Sequence, residues 1–176
     1  MSVIKVNTIQ NANGTTALTF AANGQMTLAN TPLQLTGGQI KFPSTKIASA
    51  DGNTLDDYEE GVWNPVVVSG SGTLGSYTSV GNYTKVGRLV SVWGYFNITS
   101  SGSAGGEGQV TLPFAAATST SYRTGCGSGR EDNLSGFMIQ FYNLAGGTRA
   151  DLTTTAGNAL TWTTGYGYIF SMQYII

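Results

Sequence analysis

Arg88-Leu89-Val90-Ser91-Val92-Trp93-Gly94-Tyr95-Phe96-Asn97-Ile98 is the stretch that decides the fold class. Val90, Val92, Phe96 and Ile98 fall on one parity, and Leu89, Trp93 and Tyr95 on the other, so a strand would place them on opposite faces. Apolar residues on both faces predict a central strand, with Gly94 marking a bulge. Working outward, residues 63–68, 77–86, 110–112, 136–142, 159–163 and 168–176 also read as strands, about seven to nine in all. No segment shows sustained helical periodicity. The expectation for residues 62–176 is therefore an antiparallel, jelly-roll-like β-sandwich. Its last stretch, Tyr168-Ile169-Phe170-Ser171-Met172-Gln173-Tyr174-Ile175-Ile176, ends on two isoleucines whose burial is worth roughly 3–6 kcal/mol. It belongs in the core or in a subunit interface.

Upstream the pattern changes. Residues 3–9, 17–20, 25–28, 33–35 and 39–42 read as very short strands with alternating apolar positions: Leu18 and Phe20, Met26 and Leu28, Leu33 and Leu35, Ile40 and Phe42. Asn13-Gly14 and Asn23-Gly24 are hairpin-type turn pairs, and Gly37-Gly38 is a third break. Residues 1–50 own too little apolar surface to fold alone. Copies of the chain can supply the missing face, which makes an intertwined, self-associating β-shaft the favoured reading. A small meander packed within one chain is the alternative. Between the two parts, residues 51–61 hold five of the nine acids and no base. Thr54 followed by Asp57 resembles a capping box and Gly61 a stop, so a short acidic helix or turn is expected as a collar.

Composition narrows the function. The 176 residues include 25 glycines, and only 10% are charged, against a typical share of about 25%. Hydroxyls and amides supply the polarity instead. With 40% hydrophobic and 11% aromatic content the chain can fill a core. Sparse charge also suits a surface covered by copies of itself. A net charge of −1 offers no basic field for phosphates, so no nucleic-acid partner is expected. No run reaches the ~20 apolar residues of a membrane helix, and no signal peptide is recognised. A soluble product of the cytoplasm, without membrane insertion, is expected.

Histidine is absent, which removes Ser-His and Cys-His catalysis and His-ligated metals. Cys126 is the only cysteine. Arg123 and Arg130 nearby could lower its thiol pKa, but a small residue among glycines is the simpler reading. Glycosidase chemistry needs two carboxyl groups about 5–9.5 Å apart on rigid support. Glu107 lies in a glycine-rich loop, and Glu131-Asp132 reads as a solvated turn, so no enzyme is expected. Asp51, Asn53, Asp56 and Asp57 could offer oxygens to calcium, but they lack the EF-hand spacing and read as a capped turn. No metal or cofactor is expected. Asn-x-Ser/Thr triplets at Asn13, Asn82, Asn97 and Asn133 read as accidents of composition.

The opening Ile4-Lys5-Val6-Asn7-Thr8-Ile9-Gln10, with Gly14-Thr15-Thr16-Ala17-Leu18-Thr19-Phe20, resembles the start of tail-fibre-like structural proteins of marine and freshwater phages. Gly38-Gln39-Ile40-Lys41-Phe42-Pro43-Ser44-Thr45, and then Asn53-Thr54-Leu55-Asp56-Asp57-Tyr58-Glu59-Glu60-Gly61-Val62-Trp63-Asn64-Pro65, resembles the linker before their C-terminal head domain. Tyr83-Thr84-Lys85-Val86-Gly87-Arg88-Leu89-Val90-Ser91-Val92 resembles that domain's first strong strand pair. The resemblance covers most of residues 3–98. It implies a virion component made in the host bacterial cytoplasm, a homotrimer that contacts other virion proteins through its N-terminal segment. A short tail fibre or spike binding host polysaccharide is one form. The short chain equally suits a capsid decoration (head-fibre) or tail-adaptor trimer. Sugars stack on aromatic rings and bond to amides and hydroxyls without net charge. Tyr77, Tyr122, Arg123, Asn133, Trp162, Tyr166 and Tyr168 are the candidate glycan-binding residues, with core or interface packing the competing role for each aromatic.

Overall fold

A computed structural model describes residues 8–10, 12–14, 16–20, 22, 26–28, 35, 37–47, 49–118 and 123–176. The chain divides into two compact units, Met1–Lys41 and Phe42–Ile176.

In the first unit β1 (Thr8–Gln10), β2 (Thr16–Phe20) and β3 (Met26–Leu28) pair antiparallel in that order. The turn at Asn13-Gly14 forms as expected, with Gly14 at φ +76°, where a side chain would be strained. Ile9 pairs with Leu18 and Leu18 with Leu28, so the alternation gathers one apolar row. That row is poorly covered: Ile9 is 49% exposed and the neighbouring Met26 51%. The strand expected over residues 39–42 does not form, and Ile40 lies open to solvent. Alternation sets which face a residue would occupy but provides no partner strand. Residues 3–7, the Asn23-Gly24 turn and residues 33–34 lie outside the described residues.

The second unit is all-β. Its strands are β4 (Tyr58–Trp63), β5 (Val67–Ser71), β6 (Ser76–Val86), β7 (Leu89–Ser100), β8 (Gly105–Thr111), β9 (Arg123–Glu131), β10 (Met138–Leu144), β11 (Arg149–Thr154) and β12 (Gly167–Ile175). They form one sheet in the order β4-β6-β7-β12-β9-β10-β11-β8-β5, antiparallel throughout. The two edge strands, β4 and β5, are consecutive in the chain, joined only by residues 64–66. The sheet must therefore curl until its edges meet. Trp63 Nε1 donates to the Thr111 carbonyl at 3.1 Å, and Thr111 N to the Val66 carbonyl at 3.0 Å, tying first edge, linker and far side together. Residues 63–68 are thus two strands and not one: Pro65 has no N–H to give a ladder, and the chain changes edge there.

β7 is central, between β6 and β12, as its two apolar faces suggest. Val90, Val92, Phe96 and Ile98 are buried on the concave side with Phe141, Leu152, Phe170, Met172 and Tyr174. Phe141 stacks on Phe170 and Phe96 on Tyr168, with ring centroids 4.4 and 4.8 Å apart. Gly94 is not a bulge; it pairs regularly with Gly81 and Phe170. Its role is spatial. A Cβ there would lie 2.3 Å from the Phe170 ring, and one on Gly81 2.2 Å from the Trp63 ring.

Other expectations are refined or corrected. Of the short helix or turn expected over residues 51–61, the turn forms: Thr54 N donates to the Asp51 carbonyl at 3.1 Å, and the chain enters β4 at Tyr58. Asp57 and Glu59, two apart, extend toward one cation, Lys85, which an extended chain permits. Residues 159–163 make no strand, yet Leu160 and Trp162 are buried against Gly108. Their alternation reflects core packing without a ladder. Conversely β9 and β11 were not anticipated. β9 reads Arg-Thr-Gly-Cys-Gly-Ser-Gly-Arg-Glu, whose glycines argue against a strand by propensity. Gly125, Gly127 and Gly129 are admitted because β12 crosses so closely that a Cβ on any of them would fall within 2.4 Å of its atoms.

Gly94→Leu is expected to destabilise the protein by about 1–3 kcal/mol or more through overpacking against Phe170. Gly52→Ala, with nothing within 4 Å, should stay within about 0.5 kcal/mol of wild type. Urea unfolding of the two variants checks the contrast.

Candidate functional site

Register carries the concave pattern through to the convex face. Glu60 pairs with Thr84, Thr84 with Ser91, Ser91 with Gln173, and Gln173 with Cys126, one row of small polar side chains across five strands. The row on one side is Val62, Asn82, Trp93, Ser171 and Ser128; on the other it is Tyr58, Val86, Leu89 and Ile175. Where β7, β12 and β9 carry serines and glycines, a trough of about 680 Å³ opens, lined by Leu89, Ser91, Cys126, Ser128, Ser171 and Gln173 among others. A smaller hollow shares Ser91 and extends the trough to Asn82, Thr84 and Trp93. Gln173 Nε2 donates to Ser91 Oγ at 3.2 Å, which orients the floor. Trp93 in this hollow is 42% exposed, so an indole stands in solvent beside hydroxyls and an amide.

Across the three rows Glu60 is the only charged residue, and it accepts a hydrogen bond from the Tyr58 hydroxyl. No carboxylate lines the trough, so its described lining lacks the acid pair that glycoside cleavage needs. At one end a second cavity of about 440 Å³ adds Arg88 and Arg123. The guanidinium of Arg123 lies over the Tyr142 ring, 3.7 Å from its centroid.

Elsewhere the charges serve the architecture. Lys85 is 8% exposed and sits 3.2 Å from Asp57 and 2.8 Å from Glu59, its ammonium 4.4 Å from the centre of the Phe114 ring. Burial alone would lower its pKa; bonds to Glu59 and Asp57 outweigh that and raise it. Glu59 is held below the ordinary carboxylate value by Lys85 and the Tyr83 hydroxyl. The residues weighed for calcium are dispersed among such partners. Asp51 accepts from Asn53 N, Asp56 from Ser49 N with Lys46 at 3.6 Å, and Asp57 faces Lys85. Among the described residues no three His, Cys, Asp or Glu side chains gather as a metal group.

Glu131 overturns its sequence reading as part of a solvated turn. Its side chain is fully buried and accepts backbone N–H groups from Asn133, Leu134, Ser135, Gly136 and Gly167, and the Ser135 hydroxyl. Burial would raise its pKa, but these donors outweigh burial and hold it far below the usual carboxylate range. One anion thereby shapes the loop between β9 and β10.

The sequence-derived site residues scatter. Tyr168 is fully buried, its hydroxyl donating to the Thr161 carbonyl at 2.9 Å and its pKa pushed up by burial. Trp162 is a core residue whose Nε1 donates to the Gly106 carbonyl at 2.9 Å. Neither offers a platform for a sugar. Tyr166 packs on Phe137 and Tyr168, and Tyr77 lies half-buried at the core edge. Asn133 is engaged with the loop: its Nδ2 donates to Asn97 Oδ1 at 3.1 Å and the Gly165 carbonyl at 3.0 Å. Tyr122 lies outside the described residues. Arg123 alone reaches the trough system. The residues that sequence reasoning passed over are Ser91, Trp93, Ser128, Ser171 and Gln173. For Ser91, Trp93, Ser171 and Gln173 the signal was the second parity of β7 and β12, read as burial and not as an open face; Ser128 lies on β9, whose glycines gave no strand signal. Comparison of the chain with protein-family models, with curated proteins and with solved structures finds no match.

Glu131→Gln is expected to lower the melting temperature at neutral pH by about 5–10 °C, since an amide cannot satisfy that many donors. The native pKa is depressed, so the stabilisation is present above the ordinary glutamate value of 4.5 and is lost as pH falls below it. The gap between wild type and variant should therefore narrow in acid. A gap that is constant from pH 7 to 3 would contradict the anion's role.

Proposed function

We propose that this chain is a non-enzymatic bacteriophage virion protein, a short homotrimeric fibre or spike whose β domain binds host-surface saccharide through the convex trough. The observation that carries the reading is the trough itself: Ser91, Ser128, Ser171 and Gln173, with the exposed Trp93 in the adjoining hollow and no charged residue in the described lining of either. Aromatic faces stack on sugar rings, and hydroxyls and amides exchange hydrogen bonds with sugar hydroxyls. Weak single-site binding suits presentation in three copies and many per particle, where avidity multiplies it. The virion setting is supported by the resemblance of residues 4–20 and 38–65 to phage fibre proteins. Self-association as a shaft is supported by the half-open apolar row of Ile9, Leu18 and Leu28.

A decoration or adaptor trimer is the second reading, favoured by the exposed apolar side chains of Ile9, Met26, Leu35 and Ile40, which could seat on a capsid or tail protein.

Purified protein should adsorb to host cells and be competed by host polysaccharide, and Trp93→Ala should weaken this about tenfold. No adsorption at micromolar protein, together with particles that lose capsid stability when the gene is deleted, would favour the second reading. Sedimentation should give three times the 18.4 kDa chain mass; a monomer at high concentration would remove the shaft from both readings.

A further inference from the structure

The chain has nine acids and eight cations, and every acid lies among the described residues. Ion pairs join Lys46 to Asp56, Lys85 to Asp57 and Glu59, and Arg130 to Asp132. Arg88 and Arg123 have no carboxylate side chain for a partner, yet both line the same 440 Å³ cavity. Arg88 donates from Nε to a main-chain oxygen of Ile176, at 3.1 Å, and also borders the cavity. Arg123 spends the face of its guanidinium on Tyr142, and stacking in that way leaves the in-plane N–H donors available. The remaining lining is Ala117, Thr124, Gly125, Cys126 and Ile175, without an acid. Thr124, Gly125, Cys126 and Ile175 also line the long trough, so the cavity and the trough are continuous.

We propose that Arg88 and Arg123 are the anion-recognising end of the trough, and that the saccharide it takes is acidic, with a sugar carboxylate between the two guanidinium groups. The proposal rests on the reading of the trough as a saccharide site. Neutral sugar hydroxyls then lie along Ser91, Gln173 and Ser128, and the charged group sets direction and register. Guanidinium donors match the two oxygens of a carboxylate, and such charge-assisted bonds are about twice as strong as neutral ones. A negative overall charge of −1 does not oppose this, because fields from exposed groups decay over about 8 Å at physiological salt and the local charge is positive.

The test uses the full chain, 15N-labelled, titrated separately with glucuronate, glucose, glucose 6-phosphate and inorganic phosphate. The Nε–H signals of Arg88 and Arg123 report the anion end; the Trp93 indole and Gln173 amide report the trough. Glucuronate is expected to move both sets and to bind about tenfold more tightly than glucose at low salt, with the advantage shrinking as salt rises. Arg123→Gln, which loses only the stack on Tyr142, should abolish that advantage while leaving glucose binding unchanged and lowering the melting temperature slightly. Arg88→Gln should also abolish the advantage, with a small loss of melting temperature because its Nε bond to Ile176 goes as well. Equal binding of glucuronate and glucose, or unmoved arginine signals, would overturn the acidic-sugar proposal while leaving a neutral-saccharide trough intact. Arginine shifts with inorganic phosphate equal to those with glucuronate would reduce the site to an adventitious anion only, and a response to glucose 6-phosphate alone would replace the carboxylate by a phosphorylated sugar. Arginine shifts with glucuronate while Trp93 and Gln173 stay silent would keep the anion site but remove the trough reading beneath it.

Discussion

The structure depends on a steric complementarity on the concave side of the sheet: at several points where a large side chain crosses the interior, the facing position is glycine. Gly81 and Gly94 pair across β6 and β7 and leave room for the rings of Trp63 and Phe170, which meet edge to face with centroids 6.4 Å apart. Gly61 lies under the Tyr83 ring, Gly108 under Leu160 and Trp162, and Gly125, Gly127 and Gly129 under Tyr174, Met172 and Phe170. A nine-stranded sheet with a Cβ at each of these points could not curl tightly enough for β4 and β5 to meet through a three-residue linker. Protein interiors tolerate neither voids nor overlaps, so glycine and ring have to be chosen together.

That curl decides where polarity can go. With the interior taken by rings and aliphatics, the few charges that enter it arrive with partners: Lys85 with two carboxylates, Glu131 with a shell of N–H donors. Both satisfy the rule that a buried charge must be paired or fully hydrogen-bonded. The convex face is left with short hydroxyls and amides flanked by Trp93, Val62 and Leu89. A trough appears there over the serines and glycines of β7, β12 and β9, with Leu89 at its edge. The open convex face thus follows from the same curl that builds the core.

Strand character was readable for β6, β7 and β12, because their alternating apolar residues report a local backbone property. The same reading failed at residues 159–163, where Leu160 and Trp162 alternate to fill the core without a ladder, and at β9, whose glycines oppose strand propensity. For residues 51–61 the capping signals near Thr54 are local and left helix and turn both open, whereas the pull of Lys85 on Asp57 and Glu59, at the entry to β4, comes from 26 or more positions away. Among site residues, exposed-looking aromatics near turns, Trp162 and Tyr168, proved to be core. Trp93, sitting inside the most hydrophobic strand, proved to be open. Hydrophobicity ranks the tendency to be buried but cannot say which of two apolar faces has a covering layer.

By itself the sequence determined that the second unit is built of strands, which side chains share a face, that histidine chemistry is absent, and that charge is scarce. These follow from composition and from the two-residue period of an extended chain, which require no knowledge of distant partners. Only the tertiary structure decided the strand order, the conversion of Glu131 from a turn residue to a buried anchor, and the meeting of Arg88 and Arg123 in one cavity. Each of those is a relation between segments far apart in the chain, settled by which strands can pair once the interior is filled.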